Sequence, residues 1–321
     1  MFEKIKEEYR STLKSSDTEE HIDLAFYRPL GYAWACLFRR LGVHPNAVTI
    51  ASIFLGIGAA FCFYPADTYI NLIGIGLLIW ANTYDSADGQ LARLTKQYSP
   101  LGRILDGAAG DVWFVSIYIA ICLRAVRDTE FFTVHPALVW ILAAVAGLCH
   151  ARQAALADYY RQAHLFFLKG SGGSELDSSE PIREKLNNLM ASRKYAQALP
   201  AMVYLGYTTA QERQTPEFQR LKSAVKGMDT DSNAFHRLRE NFLRHSRPLC
   251  KWENFMTFNW RSICLFGCII AGFPWVYFII EITVFNIVLL YTRITHEKAC
   301  KALCATYCGQ ENGSSKIRFA R

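Results

Sequence analysis

Four stretches of the chain hold no Asp, Glu, Lys or Arg: Leu41–Ala66, Tyr69–Tyr84, Phe131–Ala151 and Ser262–Ile280. Each approaches or exceeds the roughly 20 helical residues that cross a bilayer core. Extended through their neighbours, they predict six transmembrane helices at about 46–65, 69–92, 102–123, 134–165, 255–272 and 274–293. The last two share one stretch, Phe255–Thr292, too long for a single helix. Gly272-Phe273-Pro274 supplies the turn, because Gly admits unusual φ and Pro stops the preceding helix. Upstream, HIDLAFYRPLGYAWACLFRRLG (21–42) sets Phe26, Leu30, Trp34, Leu37 and Phe38 against Arg28, Arg39 and Arg40, the pattern of an interfacial amphipathic helix.

Between the fourth and fifth spans the pattern turns polar. The stretch opens with the linker-like GSGGSELDSSEP. Helical signals follow: Pro181 in a first turn, Thr215-Pro216-Glu217 as a cap, and Ser232 before Phe235, Leu238 and Phe242. The chain therefore reads as an all-α polytopic membrane protein in four parts. These are 1–45 (cytosolic and interfacial), 46–168 (spans one to four), 169–252 (a cytosolic helical insertion) and 253–321 (spans five and six with a cytosolic tail). The insertion shows no catalytic signal, so replacing 175–250 by a flexible linker is expected to spare chemistry provided that the six spans still assemble.

Charge fixes the expected orientation. With the N-terminus in the cytosol, the outside loops 66–68, 124–133 and 272–274 hold only Arg124 and Arg127 of 35 Lys and Arg. That is the positive-inside distribution. Both termini are then cytosolic, in a bacterial inner membrane or its equivalent, and the net charge of +7 suits anionic lipid. No motif points to nucleic acid. The opening MFEKIKEEYR has mixed charge and no secretory h-region after it. The ten cysteines lack secreted-type spacing and are expected to be reduced. His296, Cys300, Cys304 and Cys308 recur every four residues, and since each step rises about 6 Å they read as a packing stripe.

The chemistry concentrates in DSADGQLARLTKQYSPLGRILDGAAGD (85–111), which has four aspartates and no other carboxylate. Asp85 and Asp88 share a helix face, and Asp106 starts the next span after a short cytosolic turn. Three carboxylates converging at a membrane interface repel one another, and hard oxygen ligands favour Mg²⁺ or Mn²⁺. Gly89, Ala92, Gly102, Gly107, Ala108, Ala109 and Gly110 remove side-chain bulk nearby. Arg93 offers a guanidinium to a phosphate.

Asp85-x2-Asp88-Gly89-x2-Ala92-Arg93-x8-Gly102-x3-Asp106 resembles the signature of the CDP-alcohol phosphatidyltransferases, matching seven of its eight fixed positions. The family's preceding Pro-Asn-x-x-Thr is present as Pro45-Asn46-Ala47-Val48-Thr49. The resemblance covers the six-span body and omits the insertion. It implies transfer of a phosphatidyl-type group from a CDP-linked lipid to a small polar alcohol, with release of CMP, by a homodimer. It further implies that Asp85, Asp88 and Asp106 bind metal, and that Gly89, Ala92, Arg93 and Gly102, with Asn46 and Thr49, serve the CDP moiety. The family's fourth aspartate, a ligand and base, falls at Gly110, and the carboxylate comes one residue late as Asp111. A π turn between Asp106 and Val112, eased by Gly107-Ala108-Ala109-Gly110, is expected to rotate Asp111 back to the metal as ligand and catalytic base.

Arg152, Arg161, Arg261 and Arg293 are candidates to hold an anionic acceptor such as inositol phosphate or glycerol phosphate, and free inositol is a further candidate. Two other readings stay open. One is a non-catalytic lipid- or nucleotide-binding relative, suggested by the displaced Asp111. The other is an intramembrane prenyltransferase, which needs a second Asp-rich motif where this chain has Asp158 alone.

Overall fold

The computed structural model describes residues 2–13, 18–98, 100–170, 174 and 176–308, and among these no strand occurs. The chain divides into two compact units. Unit 1 comprises Met1–His150 with Thr257–Val284, and unit 2 comprises Ala151–Met256 with Phe285–Arg321.

Unit 1 begins with α1 (Phe2–Ser11), a π turn (Asp23–Tyr27) and α2 (Arg28–Arg40). The π turn lies just before Pro29, which lacks an N–H and whose ring crowds the carbonyl four residues back. Then follow α3 (Pro45–Phe63), α4 (Thr68–Thr95), α5 (Pro100–Asp128) and α6 (Glu130–Val134). Pro45 opens α3 in the first turn, where its fixed φ costs nothing, and the His44 ring accepts from the Asn46 N–H. Asp67 caps α4 by accepting from the Ile70 N–H. At its other end Lys96 takes a left-handed φ of 55°, and the Gln97 N–H returns to the Ala92 carbonyl. That turn brings Asp106 back beside the end of α4.

Packing in unit 1 relies on small residues. Ala59, Ala60 and Ala81 are buried among Phe63, Leu78 and Trp113. Small side chains let apolar helices approach closely where burial from water supplies little drive. Gly31 does the same for α2, since a Cβ there would stand 2.6 Å from Gln90 Oε1 on α4. The face of α2 carrying Gly31 and Ala35 is buried, while Phe26, Leu30 and Leu37 stay exposed beside it.

The remaining helices are α7 (Pro136–Lys169), α8 (Ser179–Ala191), α9 (Tyr195–Gln214), α10 (Pro216–Lys226), α11 (Asn233–Phe255), α12 (Phe258–Ile270) and α13 (Val276–Leu303), the last followed by a π turn at Cys304–Cys308. Two helices are divided between the units, α7 after His150 and α13 after Val284. The insertion helices therefore do not form a unit alone. Phe218, Leu221, Leu238 and Phe242 make one core with Tyr159, Phe167, Cys300 and Leu303. Each such apolar side chain contributes about 1.5–3 kcal/mol on burial from water. Cutting out 175–250 would strip that core from the ends of α7 and α13, so spared chemistry requires those helix ends to hold without it. Ser232 Oγ accepts from the Phe235 N–H at the start of α11, as its sequence suggests. Of the expected linker, residues 171–173 and 175 lie outside the described residues.

Among the described residues, four helical segments are long and apolar enough to cross a membrane: Pro45–Phe63, Leu105–Asp128, Pro136–Lys169 and Val276–Tyr307. The protein is an integral membrane protein by these helices. The other two expected spans differ. The expected 69–92 lies in α4, whose 28 residues are long enough but carry Asn71, Asn82, Asp85 and Asp88. The expected 255–272 breaks at its start, because α11 runs through Phe255 and α12 begins only at Phe258. With 13 residues, α12 is about 20 Å long, short of a bilayer core of about 30 Å. Gly272, at φ 82°, makes the predicted turn, and the Phe273 N–H returns to the Cys268 carbonyl.

Candidate active site

Asp85 and Asp88 sit one turn apart near the end of α4, and Asp106 sits near the start of α5. One carboxylate oxygen from each lies within 4.8 Å of the others. Asp88 is 3% exposed, Asp85 is half-buried and Asp106 is exposed. The cluster therefore grades from protein interior to open surface. Thr49, one turn into α3, donates its hydroxyl to Asp88 Oδ2. The Pro-Asn-x-x-Thr segment thus reaches the metal candidates through Thr49, which fixes the orientation of the most buried carboxylate. Asn46 sits at the mouth of the same helix, its N–H held by His44 Nδ1 at 3.2 Å.

Arg93 lies over Gly89. Both terminal guanidinium nitrogens stand 3.5 Å from where a Cβ on Gly89 would be. Its Nε donates to the Thr12 carbonyl at 2.6 Å, while Nη2 is buried without a hydrogen-bond partner among the described residues. Next to it, Gln90 Nε2 donates to Thr12 Oγ1 and to the Arg28 carbonyl, both at 3.2 Å. Arg28 in turn pairs with Glu19 at 2.9 Å and reaches Ser86 Oγ at 3.4 Å. The chain before α2 is therefore built into the signature helix. Sequence reasoning missed Thr12 and Gln90, because partners 78 and 81 residues apart leave no local signal, and it also missed Glu19, nine residues before its partner Arg28. Further out, Glu8 bonds Arg39 and Tyr32, which hold its carboxyl below the ordinary glutamate value. Ala92 and Gly102 are half-buried on the facing ends of α4 and α5.

Asp111 departs from expectation. Helix α5 is α-helical from Pro100 to Asp128, with no π turn. Five residues after Asp106, Asp111 points about 140° away in such a helix. It is exposed and stands outside the group of three. The physical reason is local. A Cβ on Gly107 or Gly110 would meet no atom within 4 Å, so no crowding displaces the regular hydrogen-bond ladder.

The four arginines proposed for an acceptor divide between the units, Arg261 in unit 1 and Arg152, Arg161 and Arg293 in unit 2. In unit 1, Arg261 is 1% exposed, pairs with Glu281 of α13, and shares that carboxylate with the Tyr277 hydroxyl. A buried guanidinium with a carboxylate partner is not available to an incoming anion. Glu281, just past the charge-free run ending at Ile280, was the sequence signal for this pair. In unit 2, Arg152 and Arg293 meet at Gln214, the first on its side-chain oxygen and the second on its backbone carbonyl. Arg161 lies 3.5 Å from Asp158, with its Nε buried. Also in unit 2, ligand atoms of His296, Glu297 and Cys300 lie within 4.8 Å of one another. Glu297 is engaged there, accepting from the Glu217 and Phe218 N–H groups at the start of α10. His296 packs among the Tyr160, Phe218 and Phe242 rings, in keeping with a packing stripe.

Residues 42–168 match the family model described as CDP-alcohol phosphatidyltransferase. This stretch is a CDP-alcohol phosphatidyltransferase domain. It holds α3 to α5, most of α7 and all three clustered aspartates. Proteins from Mycobacterium tuberculosis and Mycobacterium bovis, each named "Putative cardiolipin synthase", are 32% identical to the chain over 82 residues. That match covers 26% of this chain and 38% of theirs, so the chain spans well under half the length of these curated relatives. No solved structure matches the chain. The phosphatidyltransferase domain ends at the close of α7, and the insertion begins where it stops.

Proposed function

We propose that the protein transfers a phosphatidyl-type group from a CDP-linked lipid to an alcohol, releasing CMP. The observation that carries this reading is the meeting of Asp85, Asp88 and Asp106 within 4.8 Å inside the phosphatidyltransferase domain. Three hard carboxylates that converge in this way form a donor group suited to Mg²⁺ or Mn²⁺. Such an ion, when bound, would offset charge on the diphosphate and on departing CMP.

The chain's own residues supply the rest. Asp85, Asp88 and Asp106 would hold the ion, and the Thr49 hydroxyl fixes the Asp88 carboxylate for that role. Arg93, fixed through Nε by Thr12, keeps Nη2 for a phosphate oxygen of the nucleotide. Gly89 leaves room for that guanidinium, and Ala92 and Gly102 keep side chains out of the nucleotide's way. The acceptor hydroxyl oxygen forms a new bond to the lipid-bearing phosphorus, the bond from that phosphorus to CMP breaks, and the hydroxyl proton passes to a carboxylate. Asp111 faces another direction from the metal group and is the candidate base only from the acceptor's side.

The acceptor is proposed to be inositol, or an inositol or glycerol phosphate, with Arg152 and Arg293 as the candidate anion holders. The termini and the site are proposed to face the cytosol, and the protein to act as a homodimer. The decisive experiment offers purified protein CDP-diacylglycerol or a CDP-ceramide, a panel of acceptors, and Mg²⁺ or Mn²⁺. CMP and lipid product are then measured. Product that disappears with chelator supports the proposal. The turned-away Asp111 favours one second reading, a lipid- or nucleotide-binding relative without turnover, and absence of CMP with every acceptor would favour it.

A further inference from the structure

Helix α9 carries an apolar face that the described chain leaves open. Ala198, Thr208 and Gln211 are buried and mark its packed side. On the other side Tyr195, Leu199, Met202 and Val203 are 55–66% exposed, and Tyr207 continues the stripe. The helix is not one of the four with membrane-crossing length and composition, and its last turns, TTAQERQ, are polar. An apolar stripe of this kind lies on a bilayer and does not cross it.

Charge identifies the occupant. From Lys185 to Tyr207 the chain contains no Asp or Glu, while Lys185, Arg193 and Lys194 are all exposed. Arg193 and Lys194 lie in the tight turn from α8 to α9, where Arg193 takes a left-handed φ of 54° and the Lys194 N–H returns to the Leu189 carbonyl. Exposed Met190 stands beside them. Aliphatic and tyrosine side chains beside Arg193 and Lys194 match the boundary between acyl chains and anionic headgroups, and the nearby carboxylates lie before the acid-free run, at Glu184 and at Asp177, which accepts from the Tyr204 hydroxyl.

We propose that the α8–α9 hairpin docks on the surface of an anionic bilayer, with the α9 stripe at the acyl boundary and Arg193 and Lys194 on lipid phosphates. The test uses full-length protein in phosphatidylcholine vesicles, with or without phosphatidylglycerol. A fluorescent non-natural amino acid is placed at 199 or 203, or at the exposed position 240 of α11 as a control. Lipids carrying a nitroxide near the headgroup should abolish much of the fluorescence at 199 and 203 in anionic vesicles, less without phosphatidylglycerol, and none at 240. The double substitution Arg193→Glu and Lys194→Glu should remove the dependence on phosphatidylglycerol, with circular dichroism unchanged. Full fluorescence at 199 and 203 under every condition would overturn the proposal. So would protection that tracks protein density, which would assign the face to a second copy. Quenching indifferent to phosphatidylglycerol and to charge reversal would overturn the role of the cations.

Discussion

The Nε of Arg93 donates to the backbone carbonyl of Thr12 at 2.6 Å, joining the signature helix to a segment 81 residues earlier. That bond leaves Nη2 for a ligand and sets where it points. Deleting residues 2–13 should therefore weaken donor binding more than it slows chemistry. A hydrogen bond to a charged group is worth about 1.5–3 kcal/mol, so KM for the CDP-lipid should rise roughly tenfold to a hundredfold. Steady-state CMP release gives the split, and a loss confined to kcat would contradict this positioning role.

Thr49 and Asp88 make a second test. Outer partners of metal ligands are typically worth about 10–100-fold in affinity or activity. Thr49→Val should raise the metal concentration for half-maximal activity by that order, and Thr49→Ser should restore it. Asp88→Asn should fall below both. Titration of CMP release with Mg²⁺ and Mn²⁺ reads all three. Identical metal dependence in Thr49→Val and the parent protein would remove Thr49 from the site.

Because α5 is regular, Asp111→Asn should leave metal dependence within about twofold of the parent. If Asp111 takes the proton from the acceptor side, kcat should fall by about 10²–10⁴. A tenfold shift in metal dependence would instead mean that α5 rewinds when substrate binds.

Glu253 offers a prediction on pH. It is buried in α11, and burial pushes its carboxyl from the ordinary 4.5 up to about 8, against the attraction of Arg161. Between these values the folded protein holds a proton that the unfolded chain has released. Stability therefore falls as pH rises through that window, and the penalty is complete above about 8. Glu253→Gln should flatten the dependence and raise thermal stability at the alkaline end. Melting of detergent-solubilised protein across pH checks it, and parallel curves for the two proteins would refute it.

Much of this protein was legible as pattern. Charge-free runs marked out the apolar helices, because a membrane helix must present apolar side chains over its whole length. Gly272, Pro216 and Ser232 announced helix ends, since capping and fixed φ are local chemistry. The aspartates and their spacing were equally plain, because i and i+3 positions share a helix face wherever the helix lies. Tertiary structure decided what depends on distant neighbours. Arg261, whose position suggested a ligand site, is consumed by Glu281, a pairing made only when α12 and α13 pack together. The π turn expected near Asp111 does not form, because the space around Gly107 and Gly110 leaves the α-helical ladder undisturbed. The insertion shares its core with the ends of α7 and α13, and Thr12 reaches Arg93 across most of the first hundred residues. Side-chain pairs so far apart in the chain follow from the packing of whole helices, and local sequence carries no record of them.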